Sequence, residues 1–184
     1  MKRIKCKIVG ETALLMNRYS VQAQIQQKAG GRAITKTYDT DVEAENSAYW
    51  TSKGKKELMI PANVLYSAIL NASSFHKIGK RSAKSILAGS IRIEPAEISL
   101  GTDKYEVDIR GVVIQRNRVP KARARIDTWS AEFEIVYNEK LIGEPQIIKT
   151  ILEQAGERVG IMDFRPQKSG WFGLFKVTEF KEIK

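Results

Sequence analysis

The 184-residue chain has few of the side chains that metal centres and disulfide frameworks require. One cysteine, Cys6, and one histidine, His76, leave too few soft ligands for a zinc or iron–sulfur site and exclude an internal disulfide. We therefore predict no metal and no cofactor, and a reducing, cytoplasmic compartment. No apolar run approaches the ~18 residues of a membrane span, and the basic start turns polar too early for a signal peptide.

Acidic residues are scarce relative to basic ones. Lys and Arg number 31 against 21 Asp and Glu, which gives a formal net charge of +10. The excess is clustered, because residues 109–126 contain no acidic side chain at all. Their basic residues are Arg110, Arg116, Arg118, Lys121, Arg123 and Arg125. Such a cluster repels itself, so a folded protein that keeps one usually places a polyanion there, and a nucleic acid is the commonest polyanion in a cell.

Hydrophobic periodicity predicts a βαββαβ order. Strict alternation over residues 2–9 predicts a half-buried strand, and apolar residues at helical spacing after Pro61 and within 143–158 predict two packed helices. The remaining predicted elements are a short helix over 83–87 and strands over 57–60, 90–100, 105–114, 123–137 and 171–180. We therefore predict one α+β domain, residues 1–184, of the ferredoxin-like or RRM-like kind with an antiparallel sheet.

Two segments lie outside this plan. Residues 17–56 are too long and too polar for an ordinary connection, so we predict an insertion that is partly helical, with a turn at 30–32. Residues 109–126 are predicted to form a basic β-hairpin that projects from the sheet, with its cationic tip around Pro120. Strand 123–137 would be the partner of strand 105–114 and would place its aromatic residues in the core.

Candidate phosphate contacts continue beyond the hairpin into a basic run at 76–81 and a loop at 160–173. Those contacts are Lys77, Lys80, Arg81, Arg165 and Lys168. Glycines in the loop permit close approach of the backbone to a ligand, so the backbone amides and the two cations would suit a phosphate. The alternative is that the glycines are needed only because the loop turns through positive φ values. Four aromatic residues in or beside loops are candidates for base stacking: Tyr38, Trp50, Trp171 and Phe172.

Two alternative functions remain open. His76 is a candidate general base for metal-independent RNA cleavage, but no recognisable partner accompanies it, and a contact with helix carbonyls or phosphate is simpler. The carboxylates of 39–45 would suit Mg²⁺, although a helix start capped by Asp41 explains them better. An enzyme is therefore the minority prediction. The other alternative is a viral interaction protein whose basic surface docks on an acidic partner.

Two motifs carry a family resemblance. Residues 58–69 combine a strand, a proline and an apolar helix face, and residues 155–175 combine a helix ending in glycine, a basic stretch and Gly170-Trp171-Phe172-Gly173 before the last strand. Together they resemble the repeat-associated mysterious protein (RAMP) superfamily, RRM-like proteins that process or coat CRISPR RNA. Here the glycine motif is one residue longer than the superfamily's GFG, and Asp163 stands where small residues are expected. The layout is also similar to that of proteins of phages and archaeal viruses.

The resemblance implies that the insertion and the hairpin grip RNA, and that copies or related subunits assemble side by side along the strand. Endoribonucleases of the superfamily often use a histidine. From residues and resemblance together we predict a protein that binds single-stranded RNA or DNA through the backbone, largely without sequence preference. The chain lacks the standard RRM signature, so reading by sheet-face aromatics is not implied. Charge reversal at Arg123 and Arg125 is expected to weaken binding to all sequences alike.

Overall fold

The computed structural model describes residues 1–19, 39–114 and 116–183, without the side chains of residues 114, 117 and 118. Its mixed architecture confirms the predicted α+β class. The strands are β1 (Lys2–Gly10), β2 (Leu14–Leu15), β3 (Met59–Pro61), β4 (Lys77–Ile78), β5 (Arg81–Ser82), β6 (Ile91–Glu94), β7 (Glu97–Ser99), β8 (Glu106–Ile114), β9 (Asn117–Ile126), β10 (Ser130–Tyr137) and β11 (Phe175–Ile183). The helices are α1 (Thr40–Ser47), α2 (Ala62–Ser73), α3 (Ala83–Leu87), α4 (Glu139–Ile142) and α5 (Gln146–Gln154), which continues as a π-helical turn over Ala155–Val159.

A four-stranded antiparallel sheet has the strand order β11–β1–β10–β6. In chain order these are the fourth, first, third and second strands, and α2 and α5 lie in the two crossovers, which is the ferredoxin-like plan. Strand β1 alternates because Ile4, Cys6 and Ile8 are fully buried under the helices. Burial raises the pKa of the Cys6 thiol to about 12, so this thiol stays protonated and behaves as a small core residue.

Helix α2 begins where the sequence predicted. Pro61 ends β3, and its ring fixes the backbone angle from which the helix starts. The apolar face of α2, including Leu65 and Ile69, packs with Ile148 and Ile151 of α5 against the sheet. Burial of each such aliphatic side chain contributes about 1.5–3 kcal/mol relative to exposure, so this layer holds the two halves of the fold together.

The other face of the four-stranded sheet carries ion pairs. Arg3 contacts Glu94 and Glu134 at 2.8 and 2.6 Å, and Lys7 contacts Glu132 at 2.8 Å. Strand register places these unlike charges on the same face of β1, β10 and β6, three consecutive strands of the sheet. Among the described residues of this face there is no aromatic side chain, so it offers no ring on which a base would stack.

The hairpin belongs to a second sheet, with the order β2–β9–β8. The predicted strand over 123–137 was wrong, because residues 127–129 divide it into β9 and β10, which lie in different sheets. Trp129 lies at this change of sheet: its ring is buried and its indole N–H donates to the Thr12 carbonyl at 2.9 Å. The hairpin turn lies between Ile114 and Asn117, whereas Pro120 is paired with Gly111 within the strands.

Other element boundaries differ for local reasons. The predicted strand over 90–100 is divided at the Glu94–Pro95 bond into β6 and β7, and β7 pairs with β3 instead of the main sheet. The last strand begins at Phe175, because Gly173 has a positive φ that a strand does not accommodate.

The predicted insertion contains α1, which confirms its helical part. Asp39, and not Asp41, caps this helix by accepting hydrogen bonds from the N–H groups of Asp41 and Val42 at 2.9 and 3.2 Å. The predicted turn at 30–32 and the stacking candidate Tyr38 lie outside the described residues. Of the helices described here, none has both the length and the apolar character that a membrane crossing needs.

Candidate nucleic-acid interface

The hairpin is fastened to the body of the protein by α1. The N–H of Ala122 donates to the Glu43 carboxylate at 2.6 Å, and the N–H of Ala124 donates to the Ser47 hydroxyl at 2.8 Å. Both alanines are fully buried, since the helix covers this part of β9. The base of the hairpin is therefore a packed part of the structure, and its turn projects beyond it.

Carboxylates adjoining the basic segment neutralise part of its charge. Arg110 Nε lies 2.6 Å from Asp108, and Arg125 lies 2.8 Å from Glu106 and 2.7 Å from Asp127. Burial alone would raise the pKa of Asp108, but the guanidiniums of Arg110 and Arg125 lower it below its ordinary value. These arginines therefore meet their counter-charges within the hairpin itself.

Arg123 lies in the interior. Its residue surface is 7% exposed, and Nη1 is 3.1 Å from the Asp163 carboxylate, while its buried Nε has no hydrogen-bond partner in the described part of the chain. The sequence pattern placed this guanidinium on the surface; in the structure it joins the hairpin to the loop that contains Asp163. Lys121 Nζ is 3.9 Å from Glu43.

Arg116 occupies the hairpin turn. Its φ of 68° is left-handed, its side chain is exposed, and no described carboxylate lies within 4 Å. The side chain of Arg118 lies outside the described residues.

The positive charges of the basic run at 76–81 are not neutralised by ion pairs with described residues. Lys77, Lys80 and Arg81 are exposed on the small β4–β5 hairpin, and none of them forms an ion pair with a described residue. Beside them Phe75 is 72% exposed, and the guanidinium of Arg158 lies 5.3 Å from its ring centroid. Free cations around an exposed aromatic ring are the combination that single-stranded nucleic acids favour.

The loop at 160–173, here called the glycine loop, uses much of its backbone for its own packing. The N–H groups of Ile161, Gly170 and Phe172 donate to carbonyls of the same loop at 3.0–3.1 Å. A Cβ on Gly170 would lie 1.7 Å from the Phe164 carbonyl oxygen, so this position requires glycine for close approach. These contacts favour the structural explanation of the loop's glycines over a cradle of free amides.

The two cations of the glycine loop differ. Arg165 donates to the Met162 carbonyl at 2.7 Å and lies 3.2 Å from the side-chain oxygen of Gln167, so it supports the loop from within. Lys168 is exposed, with no ion pair to any residue that the structure describes.

An aromatic cluster joins the hairpin to the glycine loop. Trp171 and Phe172 stack with their ring centroids 5.7 Å apart, and Phe164 meets Trp171 edge to face at 5.3 Å. The Arg110 guanidinium lies 4.9 Å from the Phe172 ring and 5.8 Å from the Trp171 ring. Because Trp171 is 57% exposed, it presents an aromatic surface to solvent at the point where the two segments meet.

A cavity of about 280 Å³ lies between α2 and the glycine loop. Asn63 and Ser67, one helical turn apart on α2, line it, and one turn further Asn71 donates to Gln167 of the loop at 3.4 Å. We call this row the α2 seam (Asn63, Ser67, Asn71). Burial raises the pKa of Tyr49, whose ring also borders the cavity.

Sequence reasoning missed the α2 seam and Phe164. The signal for the seam was present, since Asn63, Ser67 and Asn71 recur every four residues beside the apolar stripe that identified the helix. Phe164 carried no comparable signal, because only the folding of the glycine loop brings it against Trp171.

His76 lies at the end of α2 and contacts Gln154, with Nε2 2.8 Å from the side-chain oxygen. The partner of the imidazole is thus a neutral amide and not a carboxylate. The carboxylates of 39–45 diverge: Asp39 caps α1, Glu43 contacts β9, and Glu45 pairs with Lys56 at 2.8 Å. Among the described residues, no cluster of potential metal ligands forms.

The comparisons with known proteins find a shared fold. No family model and no curated protein matches the chain. A solved chain in the cryo-EM structure of the Type III-B Cmr-beta bound to cognate target RNA matches with a TM-score of 0.55 and 14% sequence identity. The match covers 100% of this chain, which spans 61% of the length of that chain. At this identity, the likeness is one of fold.

Proposed function

We propose that the protein binds single-stranded nucleic acid, and RNA in preference to DNA, along the surface that leads from the basic run to the aromatic cluster. The observation that carries this proposal is the basic run itself. Lys77, Lys80 and Arg81 have no counter-charge in the described structure, although elsewhere the protein pairs many of its cations. A polyanion from outside would supply the missing charge.

Two exposed aromatic rings mark the ends of this surface. Phe75 lies beyond the last turn of α2, and Trp171 lies in the aromatic cluster. The α2 seam links the two regions: Phe75 lies four residues after Asn71, and Asn71 contacts Gln167 of the glycine loop, which also contains Trp171. Phosphates would meet the basic run and Lys168, while bases would stack on the two rings.

The basic residues of the hairpin have two different roles: some would contact the strand or support its stacking surface, and others stabilise the hairpin. Arg116, at the turn, is free to approach a strand, and Arg110 supports the stacking surface of Trp171. Arg123 holds the hairpin to the glycine loop through Asp163, and Arg125 joins the two strands of the hairpin through Glu106. Charge reversal at Arg123 would therefore disturb folding as well as binding.

The fold likeness supports RNA over DNA, since the matched chain comes from a structure that contains target RNA. The resemblance of residues 58–69 and 155–175 to the RAMP superfamily points in the same direction. It also implies assembly of copies, or of related subunits, along the strand.

The test is a salt titration of binding to labelled single-stranded RNA, single-stranded DNA and duplex, with particle size measured alongside. Replacement of Lys77, Lys80 and Arg81 together by glutamine removes three phosphate contacts. For single strands this lowers the slope of log affinity against log salt by about 2 and the affinity at 0.1 M salt by about 100-fold.

A second triple variant provides a matched control. Lys53, Lys104 and Lys140 are also exposed and lack ion pairs with described residues, and their replacement by glutamine changes the net charge equally. This control should leave the slope unchanged. A slope near zero for the wild-type protein, or equal losses in the two variants, would contradict the proposed surface.

A further inference from the structure

We infer that the cavity between α2 and the glycine loop holds one unstacked nucleobase of the bound strand, and so gives the protein a base preference at that position. This inference rests on the proposed function and adds to it, because contacts to phosphates and stacking on rings are largely indifferent to sequence.

The lining of the cavity is polar and largely uncharged. Within the described part of the chain, the side chains of Asn17, Asn63 and Ser67 and the Tyr49 hydroxyl make no hydrogen bond, although all four border this space. Amide side chains offer donors and acceptors side by side, which is the pattern on the edge of a base. Hydroxyl groups add donors or acceptors that rotate to suit the edge they meet.

The charges at the cavity argue against a phosphate as its occupant. Asp163 borders the cavity and would repel an anion, and its own counter-charge is the buried Arg123. The guanidinium of Arg165 already donates to the Met162 carbonyl and contacts Gln167. A neutral, flat and polar group fits this set better, and bases are the parts of a nucleic acid with that character.

The size of the cavity limits the occupant to a single group. At about 280 Å³ it lies just below the ~300 Å³ at which pockets for small ligands begin. One base, with part of its sugar, is therefore the largest piece of a strand that would enter. Four buried residues also border the cavity, namely Ala68 of α2 and residues 160–162, and they would suit the face of a base.

The wall made by the glycine loop is preformed. Met162 and Phe164 have φ values of 64° and 49°, a backbone conformation that is costly for residues other than glycine and is often found at ligand sites. The N–H of Asp163, between them, donates to the Leu15 carbonyl at 3.0 Å and holds the loop in this shape. A base would therefore find its partners already in position.

The aromatic cluster lies next to the cavity along the chain. Phe164 stands between Asp163 and Arg165, which both border the cavity, and its ring contacts Trp171. A strand stacked on Trp171 would thus present a neighbouring base to the cavity.

The test compares affinities for three labelled single strands of equal length that together contain all four bases: oligoadenylate, oligocytidylate and a strand of alternating guanine and uracil. Wild-type protein should prefer one of them by about tenfold, the scale of one well-paired base edge. Ser67→Leu, which fills the cavity from an exposed helix position, should lower the affinity for the preferred strand to that of the others and leave the salt slope unchanged.

Two further variants complete the design. Asn17→Ala combined with Asn63→Ala removes two edge partners without adding bulk, and should also abolish the preference. Ser85→Leu is the matched control, because Ser85 is exposed on α3 and does not border the cavity; it should retain the preference.

The outcomes separate the two proposals. Equal affinities of the wild-type protein for all three strands, or an unchanged preference in both cavity variants, overturn the base site while the proposed function stands. A protein that binds none of the strands at low salt overturns both.

Discussion

The ion pair between Arg123 and Asp163 joins the hairpin to the glycine loop, and its two ends differ in exposure. The Arg123 side chain is 8% exposed and the Asp163 side chain is 31% exposed, with 3.1 Å between Nη1 and Oδ2. At an effective dielectric constant of ~20 their attraction is about 5 kcal/mol. We therefore expect replacement of Asp163 and replacement of Arg123 to lower the free energy of unfolding by different amounts.

Asp163→Asn leaves a buried guanidinium without a counter-charge. Breaking a buried pair in this way costs about 3–5 kcal/mol, and water reaching the partly exposed partner lowers that to about 2–3 kcal/mol. For a chain of this length the melting temperature should fall by about 4–12 °C. Arg123→Met leaves behind a carboxylate that water solvates, so it should cost only about 1 kcal/mol.

Urea denaturation followed by circular dichroism gives the free energies of unfolding. The double variant, which leaves no unpaired charge, should be more stable than Asp163→Asn alone. Glu132→Gln is the control, since its pair with Lys7 is exposed and should leave the midpoint unchanged. If Asp163→Asn lies within about 0.5 kcal/mol of wild type, or costs less than Arg123→Met, the reasoning about the buried guanidinium is refuted.

Two further predictions concern the hairpin and the loop. Because its guanidinium neighbours lower the pKa of Asp108 in the folded protein, this carboxylate contributes stability above its unfolded value of about 3.8. That stability should be lost as the pH falls through the pKa that Asp108 has in the folded protein. In a plot of the urea midpoint against pH, Asp108→Asn should therefore show a smaller decrease at acid pH than the wild-type protein. Identical plots for the two proteins would contradict this prediction. Gly170→Ala should cost about 1–3 kcal/mol and alter Trp171 fluorescence, because its Cβ would overlap the Phe164 carbonyl. Gly89→Ala, with nothing within 4 Å of its Cβ, should be neutral or slightly stabilising, and equal effects would contradict the packing argument.

Local signals in the sequence predicted the elements that depend on near neighbours. The start of α2 at Pro61 and the helix Ala83–Leu87 were located correctly, because a proline and an apolar repeat act within one or two turns. The predicted strand over 123–137 is wrong, because the alternation from Trp129 to Tyr137 does not continue across Asp127 and Thr128. The buried positions change there from even-numbered to odd-numbered residues, which is a break within the sequence itself. Which sheet each half joins depends on the surfaces available to it, and the strand's own residues do not contain that information.

The candidate site was predicted unevenly for the same reason. Lys77, Lys80 and Arg81 lie in a short segment that forms its own small hairpin, so their exposure could be expected from the sequence. In the larger hairpin, Lys121 and Arg123 meet carboxylates from other elements, and a count of charge along 109–126 cannot include Glu43 or Asp163. The α2 seam matters only because the glycine loop packs opposite it.

The sequence by itself determined which charged and metal-binding groups this protein has, namely an excess of cations and few soft metal ligands. It also determined the periodicities that build an α+β fold. These follow from residue type and from spacing over a few residues. Only the tertiary structure decided which cations remain free, because an ion pair such as Arg123–Asp163 joins residues far apart in the chain. It likewise formed the cavity that we propose as a base site, since this space exists only between α2 and the glycine loop. The residue types determine how much charge the protein carries, but the distances between charged groups in the folded structure determine which of them are neutralised.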